Sequence, residues 1–327
     1  MRRREFLGVL GGGGAAAAWP VVAQAQQPKL FRIGTVSLSN ARTSGQWVAF
    51  DQRLRELGYI EGRNFAHEFI LLNGQLERYG EATQELLRRK VNVILAFGPE
   101  IALKAAIAAT DTLPIVMVAI GYDPLARGYI SSLARPGGRI TGVFLQQIEL
   151  AVKRLQLMKD AFPDMRAATV FWDRISQDQW QAMQNAAPNF GLRLDGVELR
   201  QPPYDYEQAI SSVSMDSRKV LFIGVSPDFY NDRARLAEFA MQHRITSVSA
   251  VREWVVAGGT LSYGPSLNTI ARRAAEYVDR IAKGAKPEEL PVEQPRKFDL
   301  VVNLKTAKTI GVEIPQSILL RADEVIE

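Results

Sequence analysis

From residue 31 onward, short apolar runs alternate with longer stretches in which apolar residues recur at helical spacing. The pattern predicts strands at Phe31–Val36, Asn64–Leu71, Val91–Phe97, Ile115–Ile120 and Thr141–Phe144. Between them it predicts helices at Gly45–Leu57, Leu76–Arg89 and Glu100–Thr110, and a short one at Ala126–Leu133. A second round sets helices at Glu149–Ala161, Gln177–Phe190, Tyr206–Val213 and Asn231–His243 among strands at Ala167–Trp172, Leu194–Glu198, Lys219–Gly224 and Ile245–Ser249. Runs such as Pro114-Ile-Val-Met-Val-Ala-Ile120 are apolar on consecutive residues, the mark of a parallel sheet covered on both faces. The chain therefore reads as α/β, with two Rossmann-like lobes. Val91–Glu100 and Lys219–Asp228 echo each other, each a strand followed by Gly, Pro and an acid at a helix start. The tail breaks the alternation with a helix at Asn268–Lys283, a Pro- and Gly-rich passage at Gly284–Pro295, a strand at Phe298–Asn303 and a short helix from Leu304. A helix and a strand left over after two lobes mean that the chain crosses between them more than once.

The first 25 residues read as an address. Arg2-Arg3-Arg4, Phe6-Leu7, an apolar run from Val9 to Ala18 and the small-x-small site Ala23-Gln24-Ala25 make a secretory signal peptide. The spacing of Arg3-Arg4 and Phe6-Leu7 resembles a twin-arginine signal, with an ordinary Sec signal as the alternative. The apolar stretch falls short of the roughly 20 residues of a membrane span. Cleavage after Ala25 is expected to leave the mature protein free in a periplasm, with no membrane insertion.

Composition narrows the chemistry further. The 327 residues are 47% hydrophobic and 23% charged, the balance of a globular protein of roughly two domains. Net charge is +5, and three arginines against one glutamate in residues 1–25 leave the remainder at +3, too mild for a nucleic-acid partner. Zero cysteines exclude disulfides, thiolate catalysis, zinc–thiolate sites and iron–sulfur clusters. His67, in a strand pattern, and His243, at a helix end, read as structural. No nucleophile elbow, P-loop or metal-spaced cluster is present, and neither an enzyme activity nor a cofactor or metal is expected.

In open parallel sheets, ligands bind in the loops beyond the carboxyl ends of the strands. Those loops are Ser37–Gln46, Phe97–Glu100 and Gly121–Pro124 in lobe one, and Trp172–Gln177, Ser226–Tyr230 and Ala250–Trp254 in lobe two. Facing each other, they would line one cleft, with Phe97, Tyr122, Trp172 and Phe229 as flat walls. Helix starts near Ser39, Glu100, Ser176 and Asp228 offer backbone N–H groups, and Arg174 or Arg252 a forked partner for an acid. Gln46, Pro99, Asp123, Ser226 and Tyr263 complete the candidates. Asp123 and Asp228 also suit turn formation or helix capping.

Several strings are more specific. Thr112-Leu-Pro-Ile-Val116, Asp123-Pro124, Ser132-Leu-Ala-Arg-Pro-Gly-Gly138, Gly258-Gly259-Thr-Leu-Ser-Tyr-Gly-Pro265, Lys283-Gly-Ala-Lys-Pro287, Asn303-Leu-Lys-Thr-Ala-Lys308 and Leu320-Arg-Ala-Asp-Glu-Val-Ile-Glu327 resemble the ABC-transporter substrate-binding proteins of the tryptophan/tyrosine-binding-like family. The resemblance implies a type I periplasmic binding fold with three interlobe crossovers, closing on a small solute and presenting it to an inner-membrane ABC permease, with the receptor itself a monomer. Carried onto this chain, lobe one is residues 28–145 plus 262–293 and lobe two is 146–261 plus 294–327. Hinges are then expected near Phe144–Glu149, Leu261–Gly264 and Glu293–Lys297. Where the family usually carries Ala-Ser-Gly-Thr-Pro-Ala, this chain has Ala96-Phe97-Gly98-Pro99-Glu100-Ile101, and Trp172-Asp173-Arg174 replaces the loop that often holds Asn. Both hydroxyls are gone. A planar or aromatic solute is therefore expected, with Glu100 facing an amine and Arg174 an acid. A ligand-sensing partner of a membrane receptor, or an exported α/β enzyme, is the alternative.

Overall fold

Residues 30–214, 216 and 219–327 are described in the computed structural model, so the signal segment lies outside the described residues. The first sheet holds β1 (Phe31–Ser37), β2 (Phe65–Leu71), β3 (Val93–Gly98), β4 (Ile115–Ala119) and β5 (Ile140–Phe144) in the order β2-β1-β3-β4-β5, all parallel. Side-chain parity along β3 shows why the run is apolar throughout. Val93, Leu95 and Phe97 enter the core beneath α1 (Gly45–Glu56), whereas Ile94 and Ala96 enter the core beneath α2 (Tyr79–Arg88) and α3 (Glu100–Ala109). Gly142 in β5 has φ 136°, and a Cβ there would lie 1.9 Å from the Met117 carbonyl oxygen, so no larger residue fits.

The second sheet takes β6 (Ala167–Trp172), β7 (Arg193–Glu198), β8 (Val220–Ile223), β9 (Thr246–Ser249), β10 (Leu261–Gly264), β11 (Asp299–Asn303) and β12 (Glu324–Ile326) in the order β12-β11-β10-β9-β8-β6-β7. Its pairs are parallel except β10 with β11. One face packs on α4 (Gln147–Ala161) and α5 (Gln177–Ala186), through Leu155, Met158, Trp180 and Met183. The other packs on α6 (Tyr206–Ser211), α7 (Pro227–Asn231), α8 (Arg233–Gln242) and α9 (Arg252–Val256). Helix α10 (Leu267–Ala282) returns to the first lobe and lies beside α1, while α11 (Leu304–Ile310) and α12 (Gln316–Leu319) close the outer face of the second.

The chain crosses between the lobes three times: before α4, before α10 and before β11. The middle crossing differs from the sequence expectation. Leu261 and Ser262 pair with Val248 and Ser249 of β9, so Leu261–Gly264 is a strand of the second sheet and the crossing follows Gly264. The lobe boundary carried over from the resemblance put a hinge there, yet Leu261 and Ser262 are buried. The helix expected at Ala126–Leu133 is also absent. The Asp123 carboxylate instead takes the N–H groups of Leu125 and Ala126, and Gly128 at φ 74° turns the chain out of any helix.

Candidate functional site

A narrow cavity of about 80 Å³, partly open to solvent, lies where the carboxyl ends of β1 and β3 face those of β8 and β9. Its aromatic walls are Trp47, Tyr79 and Phe97 from lobe one and Phe229, Tyr230 and Trp254 from lobe two. The Trp47 and Phe97 ring centroids are 4.9 Å apart and tilted by 57°. Behind them, Trp47 meets Phe69 edge-on at 5.3 Å and His67 at 6.1 Å.

His67 is held on both ring nitrogens, by Thr35 Oγ1 at 2.9 Å and by Asp51 Oδ1 at 3.0 Å. Arg42 Nε donates to the other oxygen of Asp51 at 2.9 Å. Burial pushes the Asp51 pKa up, but the hydrogen bonds and charges of His67 and Arg42 outweigh it and the net shift is downward. Sequence reading found no hydroxyl–histidine pairing, and this one joins residues far apart in the chain. It does not reach a substrate: Thr35 is 0% exposed and none of the three lines the cavity. Its work is to fix the floor under Trp47.

Several wall residues carry unpartnered polar atoms. Asn40 Oδ1, Gln46 Oε1 and the Nε1 groups of Trp47 and Trp254 are buried with no hydrogen-bond partner in the protein. Buried polar groups are nearly always paired, so four unpaired ones on residues around one cavity are unusual. Around the rim the lobes touch. Ser39 Oγ donates to Asp228 Oδ1 at 3.4 Å, and Arg127 Nη2 to Asp178 Oδ2 at 2.6 Å. One hydrophobic cluster runs from Trp47 and Phe97 across to Phe229 and Trp254. Burial and the neighbouring Asp173 charge raise the Asp228 pKa, with Ser39 and Tyr204 partly offsetting them.

The family model for ABC transporter substrate binding proteins matches residues 43–326. The chain belongs to the ABC transporter substrate-binding protein family. This is a family of solute-binding proteins, not of enzymes, that work with an ABC permease. A tyrosine-binding protein of Clostridioides difficile (strain R20291) is 22% identical over 270 residues, covering 81% of this chain and 76% of that protein. Two solved structures share the fold over 91% of this chain and 100% of theirs, each at 20% identity: a conserved domain protein from Vibrio cholerae (TM-score 0.81) and an ABC domain in complex with L-Trp from Streptococcus pneumonia (TM-score 0.78). The two lobes are thus those of a type I periplasmic binding protein.

For this substrate-binding protein, Ser39, Gln46, Phe97, Pro99, Ser226 and Phe229 of the sequence candidates line the cavity. Ser226 Oγ also accepts from the Phe229 N–H, capping α7. The other candidates lie elsewhere, each for a physical reason. Glu100 accepts from Tyr129 Oη at 2.5 Å and meets Lys104 Nζ at 3.2 Å, which leaves it no role toward a ligand amine. Tyr122 is buried edge-on against Tyr129, and Asp123 caps its turn. Trp172 stacks on Trp180 at 6.2 Å against the outer layer, as does Tyr263 on Phe298 at 6.0 Å. Trp172 and the exposed Arg174 instead border a second depression, with Asp173, Tyr204 and Asp228, that adjoins the cavity at Leu38 and Ile175. Ser176 Oγ donates to Asp173 Oδ1 at 2.8 Å, and Arg252 is forked onto Glu324 at 2.6 Å. Sequence reading missed Trp47, Tyr230, Arg233 and Trp254 as wall residues. Trp254 closes a loop that was singled out and Trp47 follows another, so the signal for both was adjacency to a strand-end loop.

Proposed function

We propose that this protein is the periplasmic receptor of an ABC importer, and that it closes its two lobes on a small planar or aromatic organic solute. The carrying observation is the aromatic cavity between lobes joined by three crossings, with unpartnered polar side chains among its wall residues. Contacts from both lobes would favour the closed population, since a ligand shifts a two-state equilibrium by its differential affinity for the states. The similarity to proteins described as binding tyrosine or L-Trp supports an aromatic solute. The hydroxyls that would suit an amino-acid head group are replaced here by Phe97 and Pro99, both on the wall. In this reading the signal is removed after Ala25, the mature protein is a monomer, and its partners are the solute and an inner-membrane permease.

The test is thermal unfolding of protein stripped of carried-over solute by unfolding and refolding. The panel holds aromatic acids, aromatic amino acids, purines and branched aliphatic acids. A ligand at 100 times its Kd adds about 2.7 kcal/mol of stability. A saturable rise in midpoint with one chemical class, lost in Phe97→Ala, is the expected result. A flat response across the panel removes the proposal.

A further inference from the structure

Among the described residues, Arg233 is the one charged side chain on the cavity walls. It opens α8, half-buried, with its guanidinium 4.7 Å from the centroid of the Tyr230 ring. Nη1 donates to the Tyr230 carbonyl oxygen at 2.7 Å, which uses one of five N–H donors. No carboxylate pairs with it among the described residues. Its neighbour Arg235 is bound to Asp232, Arg252 to Glu324 and Arg273 to Glu293, whereas Arg233 keeps four N–H donors without a carboxylate partner.

We propose that the cavity takes an aromatic carboxylate lacking an ammonium group, with Arg233 as the partner of the carboxylate. The inference rests on the receptor reading above and specifies its ligand. Guanidinium matches a carboxylate in fork geometry, and the tyrosine ring beneath Arg233 holds that fork flat. A zwitterionic amino acid would also bring an ammonium group into the cavity, and no wall residue carries a negative charge to meet it. An ammonium taken out of water without a counter-charge is strongly disfavoured. Two carboxyls approach the walls without lining them: Asp228, which accepts from Ser39 and borders the depression shared with Asp173 and Tyr204, and Glu253, whose charge acts on Tyr230. The other polar wall side chains are neutral, and the unpartnered amides of Asn40 and Gln46 suit a ring hydroxyl or ring N–H.

Titration calorimetry with two matched series tests this: para-hydroxyphenylpropionate, L-tyrosine and tyramine, then indolepropionate, L-tryptophan and tryptamine. Within a series the ring is constant and only the charge of the tail changes. The anion of at least one series should bind about tenfold or more tightly than its amino acid, with no binding of the amine. Arg233→Gln should weaken that anion about tenfold or more, and Arg233→Lys by less, with the unfolding midpoint unchanged in both. An amino acid or amine that binds as tightly as its anion overturns the inference and leaves the receptor reading standing. So does an anion whose affinity is indifferent to Arg233→Gln. Failure of all six compounds also overturns it, and the receptor reading falls with it only if the broader panel above is silent as well.

Discussion

Which way a side chain points decided most of the candidate site. Phe171 and Trp172 are adjacent on β6, yet Phe171 enters the core that faces α6–α9 while Trp172 turns to the layer of α4 and α5. The loops at the strand ends were legible in the sequence, because strand runs and helix starts bracket them. The parity of each aromatic was not, since a run buried on both faces offers no polar alternation to read it from. Phe97 fell on the cavity side and Trp172 did not. The Thr35–His67–Asp51 chain was hidden for a different reason, being assembled from two strands and a helix. It carries a prediction of its own. Asp51 has its folded pKa held below the ordinary 3.8, so the stability it contributes is present above that value and lost as pH falls through the folded pKa. Melting curves from neutral pH downward should show Asp51→Asn less stable than the parent at neutral pH. The gap should close in acid, and parallel curves at every pH would refute the account.

Strands β1 to β9 and helices α1, α3 and α4 were read within a residue or two of where they lie, whereas the expected α2 and α5 each took in an adjoining 3-10 turn, Leu76–Arg78 and Ala187–Phe190. Misreadings cluster where a few local groups outvote propensity. The segment after β4 became turns through Asp123 and Gly128, and β10 was taken as a hinge because the carried-over lobe boundary fell inside it. The short α9, α12 and β12 hold too few residues for a period to emerge. Gly142 shows how narrow the tolerances are at the first crossing. Gly142→Ala would drive a Cβ against the Met117 carbonyl and force β4 and β5 apart. Its expected cost is about 2–4 kcal/mol, read from denaturant midpoints. A change under about 0.5 kcal/mol would show that the strands can shift freely.

The described contacts are those of lobes that meet at both sides of the cavity. Asp228 senses that meeting. Its neighbours are Asp173 and Asp232, which repel its charge, and Ser39 of the opposite lobe and Tyr204, which hydrogen-bond it. Burial and the Asp173 charge raise its pKa, while the contact from the opposite lobe, the Ser39 hydroxyl, lowers it and so favours the ionised acid. The interlobe bond is therefore strongest to the carboxylate, and protonation as pH falls through the raised value weakens it. Small-angle scattering of the ligand-free protein at neutral pH should give a larger radius of gyration for Asp228→Asn than for the parent. Identical radii, together with identical solute affinities, would remove Asp228 from the closing equilibrium.

The three crossings also fix an order of events that begins before the protein is whole. A nascent chain leaving the ribosome delivers β1 to β5 first, but α10, which covers their α1 face, emerges only after every strand up to β10. The second sheet in turn waits for β11 and β12 at the extreme end. Neither lobe can be completed from a contiguous piece, so the usual domain-by-domain sequence, N-terminal half first, is closed to this chain. Lobe one stays unfinished until α10 has emerged, and lobe two until β11 and β12 have.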